Sequence, residues 1–422
     1  MRRQEYATRA APAAEAHTPA GDPPDVSVVM PCLNEERSVG ICVQRAWEGL
    51  RRTGLTGEVI VCDNGSTDRS VEVATAAGAR VVHQTERGYG AAYQRGFEAS
   101  RGRYIIMGDS DASYDFSELH RLVESLRRGR HDYVLGSRFA GRILPGAMPW
   151  SHRYIGNPVL TGILNRFFNL RTSDAHSGMR AFTREAYERM ACRTTGMEFA
   201  SEIVINAARA RLRVGEVPIT YHPRIGDSKL RSMRDGWRHL RFMLLLCPKY
   251  LFVIPGIVML LLGVAGQVAL LPGPLPLGFH ALDMHFSALF ALLSITGYQV
   301  VLSGIFANTY ARTHRLDQPN RLLDWIERDL SLERGLVLGL GLLLAGLVID
   351  AIVLARWIAR DLGPLNEMRP ALLALTLIVI GLQTMFASFF LGVLRMGVAS
   401  GGNATPRNGA SRPGSGDGGN GA

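Results

Sequence analysis

The chain has 422 residues, 47% of them hydrophobic and 20% charged, with a formal net charge of +10. That length leaves room for a core-bearing soluble domain and a second part, which hydropathy assigns to a membrane. The positive balance does not point to nucleic acid, because Arg224, Lys229, Arg231, Arg234, Arg238 and Arg241 gather just ahead of the first long apolar run, where a basic cluster faces anionic lipid headgroups.

Residues 1–24 are rich in Ala and Pro and lack the apolar stretch of a signal peptide, so a disordered tail and a cytosolic domain behind it are expected. Asp25 to Met30 is a β-branched run stopped by Pro31 and reads as a buried first strand. The polar turn Cys32 to Glu36 leads into an amphipathic helix through Leu50. Glu58 to Cys62 reads as a second strand opening onto Asp63-Asn64-Gly65-Ser66-Thr67-Asp68, where Ser66 or Thr67 can cap a helix to about Ala77. A third strand, Ala79 to His83, precedes Gly88-Tyr89-Gly90 and a helix from Ala91 to Ser100, and the apolar run Tyr104 to Gly108 follows. Strands alternating with helices imply an α/β fold with a parallel, doubly wound sheet, which binds ligands at the carboxyl ends of its strands.

Beyond this point the pattern is less regular. Tyr133 to Gly136 is a strand leading to Ser137-Arg138-Phe139, and helical stretches are expected from about Asn157 to Asn169 and from Glu198 to Ala210. The strand Val214 to Tyr221 precedes the basic loop Pro223 to Leu230. From Asp235 to Leu246, the residues Trp237, Leu240, Met243 and Leu244 share one face, the mark of a helix lying in a membrane interface. Five cysteines, Cys32, Cys42, Cys62, Cys192 and Cys247, show no CxxC spacing, which argues against a zinc site and for small buried residues in a reducing compartment.

Four apolar runs, at about 250–271, 284–306, 335–355 and 371–394, each approach the roughly 20 residues that span a bilayer as a helix. Lys and Arg number six in 224–241, none in 272–283, five in 307–334 and three in 356–370. The positive-inside rule then puts the α/β domain and the 307–334 loop on the cytoplasmic side of a multi-pass cell-membrane protein. The organisation expected is a tail over 1–24, an α/β domain over 25–230, an interfacial helix over 231–249, a transmembrane region over 250–395 and a second tail over 396–422. Gln267, Gln299, Asn308, Asp350 and Gln383 are the few polar residues at membrane depth, too sparse for a transport path, so the spans read as an anchor, a lipid approach or a surface for homo-oligomers.

Asp109-Ser110-Asp111 is the segment that the rest serves. Two carboxylates one residue apart at the end of a buried strand make a hard-oxygen pocket suited to Mg²⁺ or Mn²⁺ carrying a diphosphate. Asp-x-Asp alone also occurs in solvated turns, and its weight here comes from its neighbours. Those neighbours are Val28-Val29-Met30-Pro31-Cys32-Leu33-Asn34-Glu35, Asp63-Asn64-Gly65-Ser66-Thr67-Asp68, Gly88-Tyr89-Gly90-Ala91-Ala92, Gly136-Ser137-Arg138-Phe139 and Ser177-Gly178-Met179-Arg180. With the acidic pair, they resemble glycosyltransferase family 2, in the branch of dolichol-phosphate mannose synthase and bacterial polyprenyl-phosphate glycosyltransferases, over about residues 26–245.

The resemblance implies a GT-A fold, Rossmann-like with a mostly parallel sheet, and inverting transfer of one sugar from a nucleotide diphosphate to a polyprenyl phosphate, dolichyl or undecaprenyl. It implies that Pro31, Asn34 and Glu35 border the donor nucleotide, that Asp63 binds its base or ribose, and that Asp109 and Asp111 bind the metal and diphosphate. Gly88 stands equally for a tight turn and a diphosphate contact. By the same resemblance Arg138, Arg180, Arg224, Ser228 and Lys229 serve the phosphates of donor and acceptor, with Arg138 also a catalytic candidate. GDP-mannose and UDP-glucose both fit as donors. Asn64 and Ser113 depart from the family, which commonly has a second acid and a Gln at those positions. A polyprenyl phosphate is already ionised at neutral pH, so the site needs cations to position it more than a strong base.

Structural roles compete for several of these residues. Arg138 and Arg180 suit buried salt bridges and Asp68 a cap, while Glu202, four residues after Glu198, stands equally for a reach into the site and a support of the fold. A processive polysaccharide synthase is a rival reading, although the Gln-x-x-Arg-Trp block of such enzymes is missing from the sequence. A non-catalytic membrane module of lipid-linked-sugar transport is another, and the intact acidic pair tells against it.

Overall fold

The computed structural model describes residues 22–226, 232–277, 280–313, 331–363 and 367–399. The chain divides into two compact units, Met1–Cys247 and Pro248–Ala422. The first half of unit one alternates strand and helix: β1 (Val26–Cys32), α1 (Val39–Thr53), β2 (Gly57–Asp63), α2 (Ser70–Ala76), β3 (Arg80–His83), α3 (Tyr89–Ala99) and β4 (Tyr104–Met107). Then come α4 (Leu119–Arg127), β5 (Tyr133–Ile143), α5 (Asn157–Phe168), β6 (Arg180–Thr183), α6 (Arg184–Met190), α7 (Phe199–Arg209), β7 (Val214–Tyr221) and α8 (Ser232–Leu245).

The seven strands form one sheet of order β3-β2-β1-β4-β6-β5-β7. Neighbours are parallel except β6, which runs antiparallel to both β4 and β5. The central strands are buried on both faces, which is why they read as unbroken apolar runs and not as an alternation. Successive side chains nevertheless serve opposite cores. Val26, Val28 and Met30 join Val39, Cys42, Val43 and Ala46 of α1 and Leu119, Leu122, Val123 and Leu126 of α4 in one cluster. Val29 faces the other way, toward α3, and a Cβ on Gly96 would collide with its side chain. That second core is aromatic, with Phe97 edge-on to Phe182 at 5.4 Å and Tyr93 stacked on Phe199 at 5.8 Å. Burying each such side chain contributes about 1.5–3 kcal/mol, so the two cores fix the sheet and with it the loops at its carboxyl edge.

Three features differ from the sequence reading. β6 is an added strand, four residues long and opened by Arg180, which offers no alternation to read. β5 continues to Ile143, beyond Gly136, because its outer part pairs with β7 after an irregularity between Ser137 and Arg142. The 272–283 connection carries a small antiparallel pair, β8 (Leu275–Leu277) with β9 (His280–Leu282).

In unit two, α9 (Ile254–Leu270), α10 (Met284–Thr313), α11 (Leu332–Ile358) and α12 (Met368–Ala399) supply four stretches long and apolar enough to cross a membrane: Lys249–Leu270, Met284–Ala311, Leu332–Ile358 and Met368–Leu394. Small residues let these helices approach closely. A Cβ on Gly256 of α9 would stand 2.8 Å from the Gly297 carbonyl of α10, and one on Gly346 of α11 would stand 2.8 Å from the Ala374 carbonyl of α12. α12 runs through Ala399, past the residue where a tail was expected to begin; the rest of both expected tails, 1–21 and 400–422, lies outside the described residues.

Candidate active site

In the order β3-β2-β1-β4 the chain leaves β1 in one direction and returns on its other side, so the carboxyl ends of β1 and β4 flank a topological switch point. The acidic segment lies there. Gly108 donates its N–H to the Val29 carbonyl at 3.3 Å, and Ser110 donates its hydroxyl to the Pro31 carbonyl at 2.6 Å, which ties the loop after β4 to the end of β1. Ala112 adopts φ +63°, a left-handed turn that Ala takes at a cost. The turn brings Ser113 back onto Asp111, whose Oδ1 accepts from the Ser113 N–H at 3.0 Å and its hydroxyl at 2.5 Å. Where the family often has Gln, this chain has a serine that orients the second acid.

Asp109 is held from α3. Tyr89 and Tyr93, one turn apart on the same helix face, both donate to Asp109 Oδ1, at 3.0 and 3.1 Å. Its Oδ2 lies beside Gly178, and a Cβ there would stand 2.6 Å from it. Burial and then the neighbouring Asp111 charge push the Asp109 carboxyl above the usual carboxylate range, against the two tyrosine bonds and the Arg224 charge. Neither tyrosine was singled out from sequence; the spacing of four residues just after Gly88 was the available signal.

Arg224 is the cation facing the acids. One guanidinium nitrogen pairs with Glu35 and the other with Asp111 Oδ2 at 3.3 Å. Its segment is pinned to the acidic loop by His222 N–H to the Ser113 carbonyl at 2.9 Å and Ile225 N–H to the Asp111 carbonyl at 3.0 Å. Glu35 is itself buried, its carboxylate accepting from the Ser38 hydroxyl at 3.2 Å.

The loop after β2 completes the rim. Asp63 is buried, and burial alone would raise its carboxyl; bonds from Ser66, His83 and Gly65 outweigh that and hold it below the ordinary range. Asn34, at φ +52°, accepts the Thr67 N–H at 2.8 Å and so joins the β1 and β2 loops. Asn64, the other departure from the family, is occupied internally: its amide donates to the Gln84 and Glu86 carbonyls and accepts the Gly88 N–H at 2.8 Å.

Four expectations change. Arg180 is fully buried in β6 and donates to the carbonyls of Ser177, Ala175 and Ala200, at 2.7, 3.2 and 2.8 Å, so it braces loops and does not meet a phosphate. Arg138 is also buried, forked onto Asp174 by two bonds of 2.7 Å, with its guanidinium 5.1 Å from the Tyr221 ring centroid; that fork is not open to a ligand. Gly88 is explained by packing, because its Cβ position and that of Gly90 are filled by the Thr195 and Thr194 carbonyls, and its N–H is taken by Asn64. Glu202 does not reach the acidic pair and binds the N–H groups of Arg193 and Thr194 at 2.9 and 2.8 Å. Ser228 and Lys229 lie outside the described residues.

The donor set can be tested against a divalent ion. Among the described residues no group of three or more His, Cys, Asp or Glu converges on one point, so the chain offers two carboxylates, a set that fits Mg²⁺ or Mn²⁺ shared with substrate phosphates and not an all-protein cage. Burial first, and the Asp111 charge second, raise the Asp109 carboxyl in the absence of an ion.

A doubly wound sheet with paired acids at its switch point, in a chain that continues into four membrane-length helices, is the framework of a membrane-attached α/β enzyme that binds its ligand at the strand ends. Comparison with known sequences gives the family. The glycosyl transferase family 2 model matches residues 27–191, and the glycosyltransferase family 2 C-terminal transmembrane region matches residues 305–395. The chain is 43% identical over 371 residues to the low-salt glycan biosynthesis hexosyltransferase Agl6 of Haloferax volcanii, covering 88% of this chain and 89% of the relative. It is 31% identical over 217 residues to the dolichyl-phosphate hexose transferase of the same organism, covering 50% of this chain and 89% of that one. Among solved structures, glucosyl-3-phosphoglycerate synthase from Mycobacterium tuberculosis is 22% identical, covering 53% of this chain and 80% of that one with a TM-score of 0.43. The chain belongs to glycosyltransferase family 2.

Proposed function

We propose that this enzyme moves a single hexose from a nucleoside diphosphate onto the phosphate of a polyprenyl lipid, on the cytoplasmic side of the cell membrane, with Mg²⁺ or Mn²⁺ held by Asp109 and Asp111. The carrying observation is the acidic pair at the switch point with Arg224 laid across Asp111 and Glu35. A divalent ion on those carboxylates supplies charge neutralisation to the departing diphosphate. Tyr89 and Tyr93 fix one oxygen of Asp109, and Ser113 fixes one of Asp111, so the remaining oxygens keep a set direction. Glu35 holds Arg224 at the rim, where its guanidinium meets a donor or acceptor phosphate. Asp63 is kept ionised at neutral pH and suits the hydroxyls of a ribose. An acceptor phosphate carries its own negative charge, so no strong base is required, and burial first holds both His176 and His239 below the ordinary histidine range, reinforced at His176 by His239 and nearby arginines and opposed at His239 by Asp235.

The hexosyltransferase relatives support the sugar class, with GDP-mannose and UDP-glucose as donors to compare. The basic residues ahead of the first span support the cytoplasmic placement. The test is incubation of the full-length protein with labelled nucleotide sugars, Mn²⁺ and polyprenyl phosphate, followed by lipid extraction. A lipid carrying one sugar is expected. A polymer would mark a processive synthase, and no labelled lipid with any donor would remove the proposal.

A further inference from the structure

Amides inside the membrane half are treated in two ways. Gln267 of α9 is buried and saturated, donating to Ser294 Oγ at 2.9 Å and accepting from Thr376 Oγ1 at 3.1 Å. Gln299 of α10 and Gln383 of α12 are not. They line a groove on the outer seam of these two helices with Ser303, Phe306, Phe386 and Phe390. Gln383 donates weakly to Gln299 at 3.4 Å, its own Oε1 is buried with no partner, and Gln299 is exposed. Phe386 beside them is 73% exposed. Both glutamines stand near the middle of their spans, Met284–Ala311 and Met368–Leu394, where lipid tails offer no hydrogen bond and an unmet amide is costly.

We infer that this groove is the contact between two copies of the chain in the membrane. Two copies inserted with the same topology are related by a two-fold axis along the membrane normal, which keeps every residue of one copy at the depth of its counterpart. Gln299 and Gln383 therefore meet the same two amides, and a primary amide is its own complement, with two N–H donors facing an acceptor oxygen. An isoprenoid chain lying in the groove would cover the phenylalanines and leave the amides unmet. The inference does not depend on the reaction proposed above.

The experiment uses the full-length chain in phosphatidylcholine vesicles at rising lipid-to-protein ratio. Ser303→Cys places a thiol in the groove, Val337→Cys on the exposed side of α11 is the control, and the unsubstituted chain accounts for the native cysteines. Oxidation is expected to cross-link Ser303→Cys into a dimer and to leave Val337→Cys as it leaves the unsubstituted chain. Adding Gln299→Leu and Gln383→Leu together, which keeps the helices apolar, is expected to weaken dimerisation by roughly tenfold or more, with helix content by circular dichroism unchanged. A monomeric Ser303→Cys chain, equal cross-linking at both positions, or a dimer indifferent to the two leucines would overturn it. So would a monomer that carries a co-purifying lipid released by Gln299→Leu.

Discussion

Asp109 takes both of its hydroxyl bonds on one oxygen, while Asp111 is held by a serine on one oxygen and by an arginine on the other. Asp109→Ala or Asp111→Ala should lower transfer by at least about 10²-fold, the scale of removing one electrostatic contact in a preorganised site, with folding and insertion intact by circular dichroism and membrane fractionation. Near-normal turnover in either variant would contradict the metal role. The raised Asp109 carboxyl also sets a pH dependence. Below about 6 the free protein carries a proton that a cation must displace, so Mn²⁺ affinity measured by calorimetry should fall by about tenfold per pH unit there. An affinity flat between pH 5 and 7 would show that the cation displaces no proton from Asp109.

The arginines separate by the same reasoning. Arg224 faces the acids at the rim, so Arg224→Ala should reduce transfer strongly, with a stability cost of about 1–3 kcal/mol because the buried Glu35 and Asp111 lose their partner. Arg180→Met removes donors from three buried carbonyls, each unmet group costing about 1–3 kcal/mol, and should lower the melting temperature clearly. The reverse pattern would return Arg180 to the ligand site. From sequence the two looked alike, since an arginine beside a conspicuous motif carries no mark of whether its fork points inward or out.

Elements were legible where their burial left its own pattern in the sequence. β1, β2 and β4 are buried on both faces and show as unbroken apolar runs, and α1 buries residues at helical spacing, Val39, Cys42, Val43, Ala46 and Leu50. β6 was hidden because its strand character comes from pairing with β4 and β5, not from its own four residues. Gly88 and Gly90 were ambiguous because the carbonyls that exclude a Cβ belong to Thr195 and Thr194, far along the chain. Gly90→Ala should therefore destabilise the protein by about 1–3 kcal/mol through overpacking. Gly162→Ala, inside α5 with open space around it, should be neutral or stabilising by up to about 1 kcal/mol. Thermal unfolding of the two variants checks this, and equal shifts would show that the α3 terminus is looser than its packing implies.

At the scale of the whole molecule, the catalytic sheet and the four apolar helices were both readable, the first from alternating strands and helices and the second from hydropathy. The site's paired acids were readable because their chemistry is local, two carboxylates at the end of one strand. Its supports Tyr89, Tyr93 and Gly178 were not, because they reach Asp109 only through the fold, and Arg224, expected at a phosphate, shows its hold on Asp111 only there. The most direct measurement is sugar transfer to polyprenyl phosphate by the full-length protein in vesicles, stripped of divalent ions by a chelator and then resupplied with Mn²⁺, in parallel for the unsubstituted chain and Asp109→Ala. The account predicts that the unsubstituted chain loses transfer on chelation and regains it with Mn²⁺, while Asp109→Ala stays inactive throughout; transfer that survives chelation, or that Mn²⁺ restores equally in the variant, would contradict it.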